Sequence, residues 1–334
     1  LKVVIADTAL HTAFGGTDDS LLALSLGESV LSLPGTRTLP PASDPAYDEA
    51  LLEPLLQLVT AQNEAGKTPL MLGLASSAAD PDHRCAKALF DHLYRQIPEG
   101  MIDPERSALF PFGRAAGIMA LEAGFLRCRQ TGDDVLVGAM FAPVQGKRND
   151  STSKTTAYSQ ASAFLLLRAM QNPPVGSLVL SAAATELEAT TDGSTQPSGL
   201  GRALHRILEQ RPTTIETLMP ASAGDPRWLN DWSAAQQRNR AHIRPDFQLL
   251  STGPQLGDTG AVAALIHIAQ CHALAQQEQP PGPILLTAGS DWLYRSAALL
   301  ETCAPDVTPL PLTMAPLAQG TRAPTQSNKD RTTS

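Results

Sequence analysis

Few residues in this chain have the types and spacing that chemistry requires. His267 and Cys271 stand four apart in one helical stretch, a spacing that places two side chains on one face where a metal could bridge them. No third ligand is recognisable in the nearby sequence, and the stretch is apolar, so the pair reads as core rather than as a metal centre; no metal and no cofactor is expected. Cys128 lies between Arg127 and Arg129, two cations that would favour a thiolate if all three converged. Successive helix positions point apart, and a helix C-terminus disfavours negative charge, so this thiol is expected to be inert. Gly199-Leu200-Gly201 lacks the further glycine and the acidic residue of a dinucleotide fingerprint and reads as a turn. Arg114 is different. It falls at the start of a nearly uncharged helix, where a cation is electrostatically unfavourable unless a carboxylate or a cleft receives it. Asp258 is the expected partner, and a pocket for an anion is the functional alternative.

The elements that must position these residues alternate between strand and helix. Strands are expected at Lys2–Ala6, Pro69–Ser76, Asp134–Met140, Ala161–Met170, Gly176–Ala184, Thr214–Met219, Gln248–Thr252, Pro283–Ala288 and Ala297–Glu301, with a short extended stretch ending near Phe112. Helices are expected at Asp18–Leu31, Tyr47–Ala65, Pro81–Gln96, Ala115–Gln130, Gly199–Gln210, Trp228–His242 and Thr259–Gln276. Such alternation predicts mainly parallel sheets with helices on their faces. The second half repeats the order of the first. Gly113-Arg114-Ala115-Ala116-Gly117 and Gly257-Asp258-Thr259-Gly260-Ala261 open matching helices that carry almost no charge for two turns. A helix apolar on all sides is a buried helix, and small residues at its start allow two backbones to approach closely. The reading is a duplicated α/β fold, with halves at 1–172 and 173–315 and a polar, disordered tail at 316–334.

With 334 residues, 43% of them hydrophobic, the chain can bury a sizeable core, and its aromatic content of 4% makes that core one of small side chains. A net charge of −8 argues against nucleic-acid binding, which needs clustered Lys and Arg. No stretch reaches the roughly 18 apolar residues of a membrane span, and Leu1–Asp7 lacks a signal-peptide pattern. Cys85, Cys128, Cys271 and Cys303 have no CxxC spacing and read as free, mostly buried thiols. A cytoplasmic protein is expected.

Three segments carry a family resemblance. Val3-Val4-Ile5-Ala6-Asp7 through Phe14-Gly15-Gly16-Thr17 to Leu24-Ser25-Leu26-Gly27-Glu28-Ser29 resembles the first strand, turn and helix of the ketosynthase (3-oxoacyl-[acyl-carrier-protein] synthase) branch of the thiolase-like superfamily. Arg114–Gly117 through Gly132–Val135 is similar to its nucleophile helix and the strand that follows. Gly253-Pro254-Gln255-Leu256-Gly257-Asp258-Thr259-Gly260-Ala261 resembles its Gly-His-x-x-Gly-x-x-Gly-Ala motif. The resemblance implies a layered αβαβα fold with two mainly parallel sheets and buried central helices.

It also implies what is missing. The family's chemistry uses a Cys at the helix start to accept an acyl group, two His or a His and an Asn to support decarboxylation, and a Lys to orient them. Here those positions fall on Arg114 for the nucleophile, Pro254 for the second His and Leu249 for the Lys; the first His belongs in Thr217–Asp225, which has none. Arg cannot act as a nucleophile because its guanidinium stays protonated. The long insertion that lines the family's acyl tunnel is reduced to about twenty polar residues before Ala161, and its Gly-Phe-Gly-Gly turn is replaced by Gly289-Ser290-Asp291-Trp292. The expectation is a catalytically inactive binding, adaptor or assembly subunit, of the kind found beside type VI secretion genes. The alternative is an acyltransferase, or a chain-length-factor-like subunit of a fatty acid or polyketide system, with a relocated site. In the family the strand before the nucleophile lies at a sheet edge and pairs with a partner. Its counterpart is Ser107–Phe112, and Leu109, Phe110 and Phe112 are the expected interface, with a paralogous chain, a secretion component or a second copy.

Overall fold

The computed structural model describes residues 1–26, 45–61, 67–74, 91, 93–141, 160–188, 199–221, 226–277, 282–290 and 294–303. The tail at 316–334, Cys85, most of the helix expected at Pro81–Gln96 and the loop before Gln160 lie outside them.

The first half runs β1 (Lys2–His11), α1 (Thr17–Ser25), α2 (Pro45–Ala61), β2 (Leu70–Leu74), β3 (Ala108–Phe110), α3 (Ala116–Thr131), β4 (Val135–Phe141) and β5 (Ala161–Met170). The second runs β6 (Leu178–Leu187), α4 (Gly199–Gln210), β7 (Ile215–Pro220), α5 (Pro226–Arg238), β8 (Ile243–Leu249), a single turn α6 (Gly253–Leu256), α7 (Ala263–Gln276), β9 (Ile284–Gly289) and β10 (Tyr294–Thr302). Gly199-Leu200-Gly201 is the first turn of α4, not a free turn. Its glycines let the helix lie close to Glu188 and Arg238, where side chains would collide.

The strand order is β3-β2-β4-β5-β1-β6-β10-β9-β7-β8. Read outward from the centre, the two halves have the same arrangement: first strand, fifth, fourth, second, third. In each half four strands run one way, and only the fifth, β5 or β10, runs against its neighbours. The expectation of mainly parallel strands therefore holds for direction. The two expected sheets meet at a seam, where β1 and β6 pair antiparallel through Val3↔Leu180 and Val4↔Val179, so that all ten strands form one ladder.

Helices α3 and α7 share the largest core cluster, with Ile118, Leu121, Phe125, Leu265, Ile266 and Ile268 at most 2% exposed. Each is led in by a 3-10 turn, Gly113–Ala115 or Gly260–Val262, whose first glycine has a positive φ of 72° or 57°. Gly117 brings the two lead-ins together: a Cβ placed there would run into the carbonyl oxygen of Ala261. The outer faces carry separate cores, one under α2 with Leu51, Leu55, Leu72 and Phe164, the other under α4 and α5 with Leu204, Ile207, Trp228 and Trp232.

Candidate functional site

The lead-ins to α3 and α7 put Arg114 of the first half beside Asp258 of the second. Arg114 Nη2 bonds Asp258 Oδ2, and its Nε lies 3.4 Å from Oδ1. The same Oδ1 accepts the Gly260 backbone N–H at 2.9 Å. The local sequence explains the arrangement: Gly257 and Gly260 both take left-handed backbone, and the Asp between them turns its carboxylate onto the N–H two residues on. The guanidinium thus sits at a helix start, where the dipole alone would repel it, and a carboxylate compensates it. Side-chain exposures of 19% for Arg114 and 10% for Asp258 place the pair at the edge of the core.

The other positions singled out in the sequence lie on neighbouring elements of the second half. Pro254 lies in the first turn of α6 and has no donor to offer, and Leu249, at the end of β8, is 55% exposed. Pro220 ends β7 where the first His would follow. His267 on α7 is 1% exposed. Its Nε2 accepts the Thr252 N–H at 3.3 Å, which leaves the ring proton on Nδ1, and Nδ1 has no partner among the described residues. Burial pushes its pKa down to about 4, so the ring is neutral at pH 7.

Cys271 lies one turn further on, with its Sγ 3.5 Å from Met219 Sδ. The Met219 thioether is a soft donor that β7, 52 residues away in the chain, brings beside Cys271. Because Nδ1 carries the ring proton, however, His267 offers no lone pair on that side for a metal. Burial pushes both Cys271 and Cys128 up to about 12, with Asp134 and Asp133 contributing at Cys128, so both thiols stay protonated. Of the described cysteines, Cys128 and Cys271 are buried, as the reading of mostly buried thiols expected, and Cys303 is partly exposed just past β10.

A second polar cluster went unforeseen. Arg295 and Asp231 form an ion pair with each side chain 9% exposed, and Arg295 Nη1 also donates to the Ser290 and Tyr294 carbonyls at 3.1 Å. Beside it Glu188 accepts the Gly199 N–H at 2.9 Å and so caps α4. The cleft over these groups leaves about 10 Å³, room for one water. In sequence these residues are scattered from 188 to 295, and the fold brings them together.

At the sheet's edge, β3 stands outermost, as expected, pairing only with β2 through Met71↔Ala108, Leu72↔Leu109 and Gly73↔Phe110. Leu109, Phe110 and Phe112 are half-buried rather than bare. Phe110 and Phe112 pack on the central core, Leu109 on the core under α2, and the Phe112 ring lies 4.8 Å from that of Tyr294. Among the described residues, no strand pairs with the outer side of β3. The opposite edge, β8, is built differently. Pro245 has no N–H to offer, residues 244–247 bulge out of register, and Arg244 is clamped to Asp246 at 2.8 and 2.9 Å.

No protein-family model and no curated protein sequence matches the chain. Solved structures match it over nearly its whole length. The ishigamide ketosynthase/chain length factor is 16% identical with a TM-score of 0.61, covering 91% of this chain and 100% of its own. A ketosynthase from module 6 of the Bacillus subtilis 168 bacillaene synthase is 10% identical with a TM-score of 0.66, covering 90% and 72%. A type II polyketide synthase ketosynthase in complex with its acyl-carrier protein (AntDE:AntF) is 12% identical with a TM-score of 0.64, covering 90% and 99%. The chain therefore has the thiolase-like fold of ketosynthases and chain length factors. Among the described residues, no helix is long and apolar enough to cross a membrane.

Proposed function

We propose that this chain is a catalytically inactive member of the ketosynthase-fold proteins that works as a binding, adaptor or assembly subunit. One observation carries the reading: at the helix start where an acyl-accepting Cys belongs, a guanidinium stands bonded to Asp258. An arginine there cannot take an acyl group, and its carboxylate partner would oppose an enolate or a thiolate at the same place. Pro254 and Leu249 remove the proton-transfer and orienting groups as well. With the chemistry gone, what the fold still offers is surface. The β3 edge is short, uncharged and unpaired on its outer side among the described residues, whereas β8 is closed by proline, charge and a bulge, which favours association through the first half. The partner would be a paralogous thiolase-like chain or a secretion component.

The test uses the full chain incubated with acyl-thioesters and read by intact mass. No adduct is expected at any residue. A stoichiometric adduct released by hydroxylamine would overturn the reading in favour of an acyltransferase with a relocated nucleophile.

A further inference from the structure

Cys303 is the one described cysteine that burial does not silence. Its backbone is held on both sides: its N–H donates to the Ser177 carbonyl at 2.8 Å, and its own carbonyl accepts from Gly176 N–H at 2.9 Å. The sulfur is therefore fixed beside the 173–177 turn, where it lies 3.6 Å from the Pro173 carbonyl oxygen. From the first strand, Lys2 reaches across and places Nζ 3.7 Å from Sγ. A partly exposed sulfur is open to an oxidant, and an amine 3.7 Å away is placed to capture it once oxidised. Cys128 and Cys271, with their pKa values pushed up to about 12, are not in such an environment.

We infer that Cys303 and Lys2 form a site of reversible oxidative modification, closing a sulfur–nitrogen link between the start of β1 and the end of β10. The oxidant is a peroxide. The Cys303 thiolate attacks one peroxide oxygen and the O–O bond breaks, giving a sulfenic acid and, after protonation, water. The neutral Lys2 amine then attacks the sulfenic sulfur, the S–O bond breaks, and a second water leaves as the amine loses a proton. In sum, one thiol, one amine and one hydrogen peroxide give one sulfenamide and two waters, with sulfur oxidised and peroxide reduced. A thiol reductant reverses the link. Its consequence is local: it staples the first strand of one half to the last strand of the other, beside the β1–β6 seam.

The full chain treated with hydrogen peroxide at mildly alkaline pH and mapped by mass spectrometry tests this. The expected product is a Lys2–Cys303 peptide pair lighter by two hydrogen atoms than its parts and separated by dithiothreitol, with Cys128 and Cys271 unmodified. In Lys2→Met the link disappears and dimedone traps the Cys303 sulfenic acid. The inference is overturned if Cys303 stays reduced while the buried thiols react. It is equally overturned if Cys303 in the native chain passes to sulfinic acid with no link, or if the link forms to another amine.

Discussion

Among single residues, Arg114 and His267 show how far side-chain identity reaches. That Arg114 needs a carboxylate follows from its place at a helix start, and Asp258 was legible as the partner because it opens the matching segment of the second half. The Arg295–Asp231 pair was not legible, since nothing in sequence relates residue 231 to residue 295 until two strand ends and α5 converge. His267 read correctly as core, but its orphaned Nδ1 proton depends on the Thr252 N–H, a contact no spacing reveals. That orphan has a measurable consequence. The folded ring has its pKa depressed to about 4, while the unfolded ring titrates near the ordinary imidazole value of 6.5. Protonation thus favours the unfolded chain: the stability is complete above about pH 6.5 and is lost as pH falls towards 4, by about 3 kcal/mol in all. His11 and His272, both lowered by burial, act in the same direction, and Glu122, raised by burial, acts against them. Urea midpoints measured between pH 7 and 4 should fall, and His267→Gln should flatten the fall. An unchanged slope in that variant would mean the imidazole is not the group responsible.

For helices and strands, the apolar runs located the elements and the polar residues blurred their ends. β1 was expected to stop at Ala6 but continues to His11, because a bulge between Ile5 and Asp7 carries the strand past two polar positions and restores Ala9 and Leu10 to the interior. The strand expected at Gln248–Thr252 is β8 at Ile243–Leu249; its proline and charges hid an edge strand that needs no buried face. The long helix expected from Thr259 divides into a 3-10 turn and α7, since Gly260 needs a positive φ and any Cβ there would strike the Phe141 ring. The close approach of α3 and α7, by contrast, was legible from their small residues, and Gly117 is where it is tightest. Gly117→Ala must push the Ala261 carbonyl away and is expected to cost about 2 kcal/mol. The same change at Gly132, where nothing lies near, meets only backbone strain. If thermal unfolding ranks the two variants the other way, the helices do not meet as closely as described.

In the molecule as a whole, the duplication was visible as a repeated order of elements, but the seam was not. Two residue pairs between β1 and β6 decide that the strands form one ladder, and both strands read equally well as the edges of separate sheets. Association belongs to this scale too. If the chain pairs through β3, charge on that edge should prevent it: Ala108→Arg is expected to abolish the complex seen by light scattering, with some loss of stability because Ala108 also packs on the core. Phe110→Asp with Phe112→Asp should also abolish it, at a larger loss of stability because both rings pack on the core. A complex of unchanged size in the Ala108→Arg variant would place the interface elsewhere.

The difference between the two edges also bears on how many chains such an assembly can hold. A sheet adhesive at both ends would add neighbours without limit and grow into a fibre. With β8 stopped by Pro245 and the Arg244–Asp246 clamp, a chain can be extended on one side only. Whatever strand meets β3, two such chains joined there would present a stopped end at either side, and growth would halt at a pair.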